Sequence, residues 1–436
     1  MSLPRAHPLN FIAPLVAAAG ALVPAYTLLA AGVLGVTLLP ILGVVLAVSV
    51  DGVLLPGLLL FPGMAPLAPW AAACALVLSL IVFASRSRAV RHRVAWLLPC
   101  VIFVAAWGIA VGVTNMQAEQ VLIGLRFLVL PFVALAVAPA LTRAEISGVV
   151  HVAGVIVITS AVAALFQNYV GADALVRAGL EYGASVRSVD SILRPPGLFV
   201  ASYVYGAFAA VSSLIFLGAI LARERLRVLY WAYFIAGLGG IVLSTSRFAL
   251  IIFICGVAVM VLAAGERLSF TFKAAALILA LAMVGVFVSV GLSGTESWEV
   301  RLGLWEAVLR NVSWPFGDGV GSAGSATLSR VSSERNTVDS YFVSLIFQFG
   351  YLGVLISGAA VSIVVYLLAR VKQFQGVRLG AIAALTGTVF SFVVTESWEF
   401  TSAMCLVLLV LGSPQIAGKG GRPSADLPST ASATLG

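Results

Sequence analysis

The chain has 436 residues, of which 61% are hydrophobic and 10% charged, and its mean hydropathy is +1.11. A soluble domain carries about 25% charged residues, so this chain lacks the polar side chains to coat a water-exposed surface and reads as an all-α polytopic membrane protein. The formal charge of +8, from 25 Lys and Arg against 17 Asp and Glu, includes no basic block long enough to track a phosphate backbone, which excludes a nucleic-acid reader.

Residues 1–10, with Arg5 and His7, precede an apolar run of roughly 40 residues, too long for a signal-peptide core and therefore read as uncleaved. That run, 11–50, is punctuated by Pro14, Pro24 and Pro40, and is followed by 51–66 and a clear span at 67–84. From there, windows of about 20 apolar residues, enough to cross the hydrocarbon core, fall at 95–113, 119–140, 146–168, 197–221, 228–245, 248–264, 272–292, 340–369, 378–396 and 400–416. The tail 413–436, rich in Gly, Ser, Pro, Ala and Thr, reads as a disordered cytoplasmic segment behind a transmembrane domain at 1–412. Cys74, Cys100, Cys255 and Cys405 lie inside apolar runs without a C-x-x-C pair, so neither a disulfide framework nor a zinc site is suggested.

Alternating these spans sorts the charges. One face collects 16 Lys and Arg against 4 acids, and the other 8 Arg against 12 acids. By the positive-inside rule the first face is cytoplasmic, with both termini on it. An even number of crossings before Arg86 then gives a total of 12 or 14, and 12 is adopted.

On the outer face two connections are long, 169–196 and 293–339, and a loop beyond about 15 residues usually has a function or is disordered. Within the second, Trp298, Leu302, Trp305 and Leu309 recur at helical spacing, which predicts an amphipathic helix lying in the headgroup layer. After it, Gly317, Gly319, Gly321 and Gly324 permit tight turns or close backbone approach, although the G-K-[ST] ending of a P-loop is missing. Arg194, just before a span, and Arg247, at a tight hairpin, are arginines near the membrane that need a partner or a cavity, and Arg suits bidentate phosphate binding. Each could instead be a snorkelling interfacial residue. Arg126, inside 119–140, is read as a structural ion-pair partner rather than a third cavity arginine. Asp339, where the long loop re-enters the membrane, is either a helix cap or a carboxylate that accepts a proton from an attacking hydroxyl. Glu396 and Glu399, at the last outer hairpin, are rival acidic candidates.

Taken in order, RPPGLF (194–199), STSR (244–247), a long outer loop holding RLGLWEAVL and PFGDGVG, and DSYFVSLIFQFGYLG (339–353) resemble the O-antigen polymerase and O-antigen ligase superfamily of bacterial envelope glycosyltransferases. The resemblance covers roughly 95–412. It implies a GT-C-like fold of the inner membrane, a periplasmic site, and an undecaprenyl-pyrophosphate-linked glycan as donor and acceptor. No metal or other cofactor is implied, and a chain-length regulator is a possible partner besides the lipid bilayer. Arg194 and Arg247 match the arginines that hold the pyrophosphate. The ligase branch carries an essential His where this chain has Asp339, and His7, His92 and His151 all lie toward the inner side. DSYF, with Tyr341, is similar to the D-N-x-Y-L-like signature of the polymerase branch, so a Wzy-type polymerase is the expected activity. Asp339, or failing it Glu396, would align the acceptor hydroxyl, while Arg301, Arg335, Tyr341 and Glu396 would contact substrate. The alternatives are a ligase or protein O-oligosaccharyltransferase, and, from another class, a transporter or flippase of lipid-linked glycan.

Overall fold

The structure, a computed structural model, describes residues 97–115, 118–177, 187–189, 192–222, 226–264, 296–324 and 340–413. The spans read at 11–84 and 272–292 and the tail beyond 413 lie outside these residues, as do Asp339 and Arg335.

The helices are α1 (Leu97–Asn115), α2 (Ala118–Val137), α3 (Arg143–Val170), a short α4 (Ala172–Arg177), α5 (Ser202–Leu221), α6 (Arg227–Ser244), α7 (Arg247–Ala264), α8 (Glu296–Arg310), α9 (Tyr341–Phe349), α10 (Tyr351–Ala369), α11 (Gly376–Ser391) and α12 (Thr401–Gly412). A two-stranded antiparallel hairpin, β1 (Arg187–Val189) and β2 (Ile192–Arg194), stands between α4 and α5. Among the described residues five helices, α2, α3, α5, α6 and α10, are long and apolar enough to cross a membrane, and the chain is a helical membrane protein.

At the centre stands α5, whose apolar window is 94% buried; it packs against α6, α7 and α11 and also touches α3 and α12. Lipid is as apolar as leucine, so helices in a bilayer associate through close packing over small residues. Accordingly, Gly218 of α5 faces the backbone of Gly376 and Gly380 in α11, Gly380 faces Leu214, and Gly387 meets the carbonyl of Ile252 in α7. Around this contact a single apolar cluster runs from α2 to α12.

Capping chemistry sets the start of α3. The Thr142 hydroxyl accepts from the Glu145 amide (3.3 Å), while the Glu145 carboxylate accepts from the Thr142 amide (2.6 Å), forming a capping box. Helix α3 stops at Gly171, whose φ of +82° suits glycine.

One expected span is interrupted. The window 340–369 forms two helices broken at Gly350, which takes φ +57° and ψ −129° and turns α9 back against the start of α10. At 1.5 Å per residue the unbroken window would run about 45 Å, well beyond a hydrocarbon core of about 30 Å. The break leaves α9 as a half-helix buried in the bundle, with Val343, Leu345, Phe347 and Phe349 among its buried residues.

Candidate functional site

The glycine-rich segment 315–324 is a strap laid across one end of the bundle. Gly317, Gly319, Gly321 and Gly324 all have positive φ, between +78° and +93°. At every one of them a Cβ would strike a neighbour: the backbone of Gln348 at Gly317, of Gly112 at Gly319, of Gln120 at Gly321, and the Glu399 carboxylate at Gly324. Backbone polar groups inside a membrane protein must be satisfied internally, and the amides of 318–321 are. Asp318 N–H donates to the Phe347 carbonyl and Gly319 N–H to that of Gln348 (both 2.9 Å), and Val320 N–H donates to the Gly108 carbonyl (3.1 Å). The Gln348 side chain finishes the seam by accepting from Gly321 N–H (3.1 Å) and donating to the Ser344 hydroxyl (2.9 Å).

Helix α8, which leads into the strap, turns Trp305, Val308 and Leu309 onto α9, where they join Val312, Ala323, Val343 and Phe347. Its apolar stripe is thus spent on the protein at those positions, and Leu302 and Leu304 remain exposed. Beneath the strap lies a small cavity with room for about one water, lined by Tyr341, Gln348, Phe349, Val320, Ala323 and Glu399 together with α2 residues.

The turn between α11 and α12, TESWEF at 395–400, gathers the other motifs. Its Trp398 stacks toward Tyr341 (6.2 Å between centroids) and packs on Phe132 (5.3 Å), while Phe392 packs on Tyr341 (4.9 Å). The Phe392 carbonyl accepts from both Tyr341 N–H (2.9 Å) and the Ser340 hydroxyl (3.0 Å), fixing the start of α9. On the other side, Phe400 stacks on Phe248 (5.2 Å) and packs on Tyr203 (5.6 Å). Phe248 follows Arg247, and Tyr203 opens α5 just after the RPPG turn. Glu399 is buried at 6% exposure, and Tyr341 lies within electrostatic reach of both Glu399 and Glu396.

Arg247 is the first residue of α7, and only Thr245 and Ser246 separate it from α6. Thr245 adopts φ +47°, a left-handed conformation that costs a β-branched residue roughly 1–2 kcal/mol. Its amide is held by the Val242 carbonyl (3.1 Å). Arg247 is half-buried, and no carboxylate among the described residues pairs with it. Arg194 ends β2, paired in register with Arg187. The turn after it is clamped to α3: Gln167 donates to the Gly197 carbonyl (2.8 Å) and accepts from Gly197 N–H (2.9 Å). Arg126 is half-buried, its guanidinium 4.7 Å from the Phe127 ring centroid.

Of the residues singled out from the sequence, Tyr341, Glu396 and Glu399 are brought to one turn and its immediate neighbours, Arg247 lies one residue from the Phe248 ring that stacks there, and the four glycines form the strap beside it. Arg194 stands on its own hairpin, and Arg301 sits in α8. Three further residues organise the site without having been flagged: Phe400, Gln348 and Gln167. The sole hint for the first was its place beside two acids. Compared with protein-family models, curated proteins and solved structures, the chain matches none.

Proposed function

We propose that the chain is a glycosyltransferase that lengthens a bacterial envelope polysaccharide by joining repeat units carried on undecaprenyl pyrophosphate, at the periplasmic face of the inner membrane. In this reaction an acceptor hydroxyl attacks the anomeric carbon of the donor glycan. The new C–O bond forms as the bond to the pyrophosphate oxygen breaks, the hydroxyl proton passes to a carboxylate, and the anomeric centre inverts. The leaving group is already good, so the protein's work is to offset the charge gathering on the pyrophosphate and to align the hydroxyl. Arg247 and Arg194 take the first task. Asp339 takes the second on the family resemblance, and Glu396, half-buried at the gathering turn, is the described carboxylate that would share it.

The observation that supports this reading is the convergence at the TESWEF turn. A half-buried arginine that pairs with no described carboxylate stands next to an aromatic ring that stacks on this turn, and the turn itself carries two acidic side chains beside the strap. The test is the purified chain in proteoliposomes supplied with one lipid-linked repeat unit. A ladder of lengthened lipid-linked glycan is the expected product. Movement of the repeat across the bilayer without lengthening would replace the reading with a flippase, and neither result would leave it without an activity.

A further inference from the structure

Helix α10 leaves the strap, where Tyr351 N–H donates to the Pro315 carbonyl (3.1 Å), and ends at Ala369. Its 19 residues rise about 28 Å, so the turn that follows, RVKQFQGVR at 370–378, stands at the opposite end of the bundle from the proposed transfer. Buried Val371 anchors a 3-10 turn over Val371–Gln373, which packs on α7 and α10. Gly376 comes next, its carbonyl set against Gly218 of α5 with no room for a Cβ between them. The turn carries three cations, Arg370, Lys372 and Arg378, and none makes an ion pair with a described residue. They are held differently. Lys372 is exposed, and so is Arg370, whose guanidinium lies 4.7 Å from the centroid of Tyr366, an exposed ring one turn back along α10. Arg378 is half-buried, 5.1 Å from the ring of Phe374, which packs against the central apolar cluster. Its Nε is sealed from solvent and has no hydrogen-bond partner; the terminal nitrogens, equally unpartnered among the described residues, are not sealed, so the fork opens at the surface. A cation drawn partly out of water needs a countercharge, and the ring supplies only its quadrupole. Leading to the turn is the open side of α10, 11% buried over its window, with Val361, Ile363 and Val365 exposed.

We infer that the 370–378 turn binds an anionic glycerophospholipid, with the Arg378 guanidinium and the Lys372 ammonium on the headgroup phosphate and the acyl chains along the open side of α10. Basic pockets between membrane helices take anionic headgroups in this way. Guanidinium suits the phosphate because its fork donates two parallel hydrogen bonds. The Phe374 ring holds the plane of that fork before lipid arrives, which lessens the freedom lost on binding. Arg370, laid on its own exposed ring, belongs to the general basic surface and not to the site. The inference stands apart from the proposed transfer, whose residues lie at the other end of α10.

The test is titration of phosphatidylglycerol onto the full chain in neutral detergent, with the lipid-bound fraction read by native mass spectrometry and phosphatidylcholine as the uncharged reference. Wild type should bind phosphatidylglycerol at least about tenfold more tightly than phosphatidylcholine. Arg378→Gln should weaken phosphatidylglycerol about tenfold, the equivalent of one hydrogen bond to a charged group. Lys372→Gln should weaken it about fivefold, and Arg370→Gln should stay within about twofold of wild type. Equal losses in Arg370→Gln and Arg378→Gln would mean attraction by the whole basic surface and would overturn the site, as would equal affinity of wild type for the two lipids. Should Arg378→Gln lower the melting temperature, the exposed Lys372→Gln carries the test, and unchanged binding there would overturn the site. Inorganic phosphate in excess should not displace the lipid, because it has no acyl chains to lay along α10; displacement would make the ligand a free anion and overturn the lipid.

Discussion

Helices α5 and α10 are nearly the same on paper and opposite in the fold. Their mean hydropathies are 2.1 and 2.4 and their lengths 20 and 19 residues, yet the window of α5 is 94% buried and that of α10 only 11%. Both contain glycines, serines and alanines. What separates them is where those small residues meet another backbone: Gly218 of α5 touches Gly376 and Gly380 of a second long helix, whereas α10 makes such a contact at its start, where Gly353 meets the Leu345 backbone of α9, and farther along Gly358 has no described residue within 4 Å of where a Cβ would be. Hydropathy selects what enters the bilayer, and complementary small residues on a second helix select what is buried there.

The sharpest way to break this comparison is Gly218→Val. The added side chain must push α5 off α11, and we expect a loss of about 3 kcal/mol or more, read as a strongly lowered melting temperature in detergent. Gly319→Ala should cost about 2 kcal/mol, because the new Cβ meets the Gly112 backbone and φ of +93° is foreign to alanine. It tests whether the strap is as fixed as the central helix, and its melting temperature should fall between Gly218→Val and wild type. Gln167→Ala removes both hydrogen bonds to Gly197 and should lower stability by about 1–2 kcal/mol. Gly358→Val is the silent counterpart: on the open face of α10 it should change stability by less than about 0.5 kcal/mol. Equal melting temperatures for Gly218→Val and Gly358→Val would remove the distinction between the two helices.

The same contrast explains what could be read from the sequence. The expected spans between 95 and 264 and beyond 378 fall on helices to within a few residues, because apolar runs and charged breaks are local signals. The interruption at Gly350 is hidden in FQFGYLG, which is apolar on both sides, and only the excessive length of 340–369 pointed to it. The four strap glycines were visible as glycines. Their partners were not, since they come from α1, α2, α9 and the last hairpin, and sequence spacing carries no trace of that assembly. Arg194, Arg247, Glu396 and Glu399 stood out because charge is rare in this chain. Phe400 did not, being an ordinary residue made important by the rings that face it.

On the proposed function, chemistry belongs to the end of the bundle where Phe248, next to Arg247, stacks on Phe400 of the TESWEF turn. The most direct measurement is the rate of glycan lengthening in proteoliposomes for Arg247→Lys beside Arg370→Lys, the latter an exposed residue at the other end of α10 whose guanidinium lies 4.7 Å from the Tyr366 ring. Lysine keeps the charge and loses the bidentate fork. Arg247→Lys should therefore slow lengthening by about tenfold or more while Arg370→Lys runs at the wild-type rate; wild-type lengthening by Arg247→Lys at normal expression would contradict the claim.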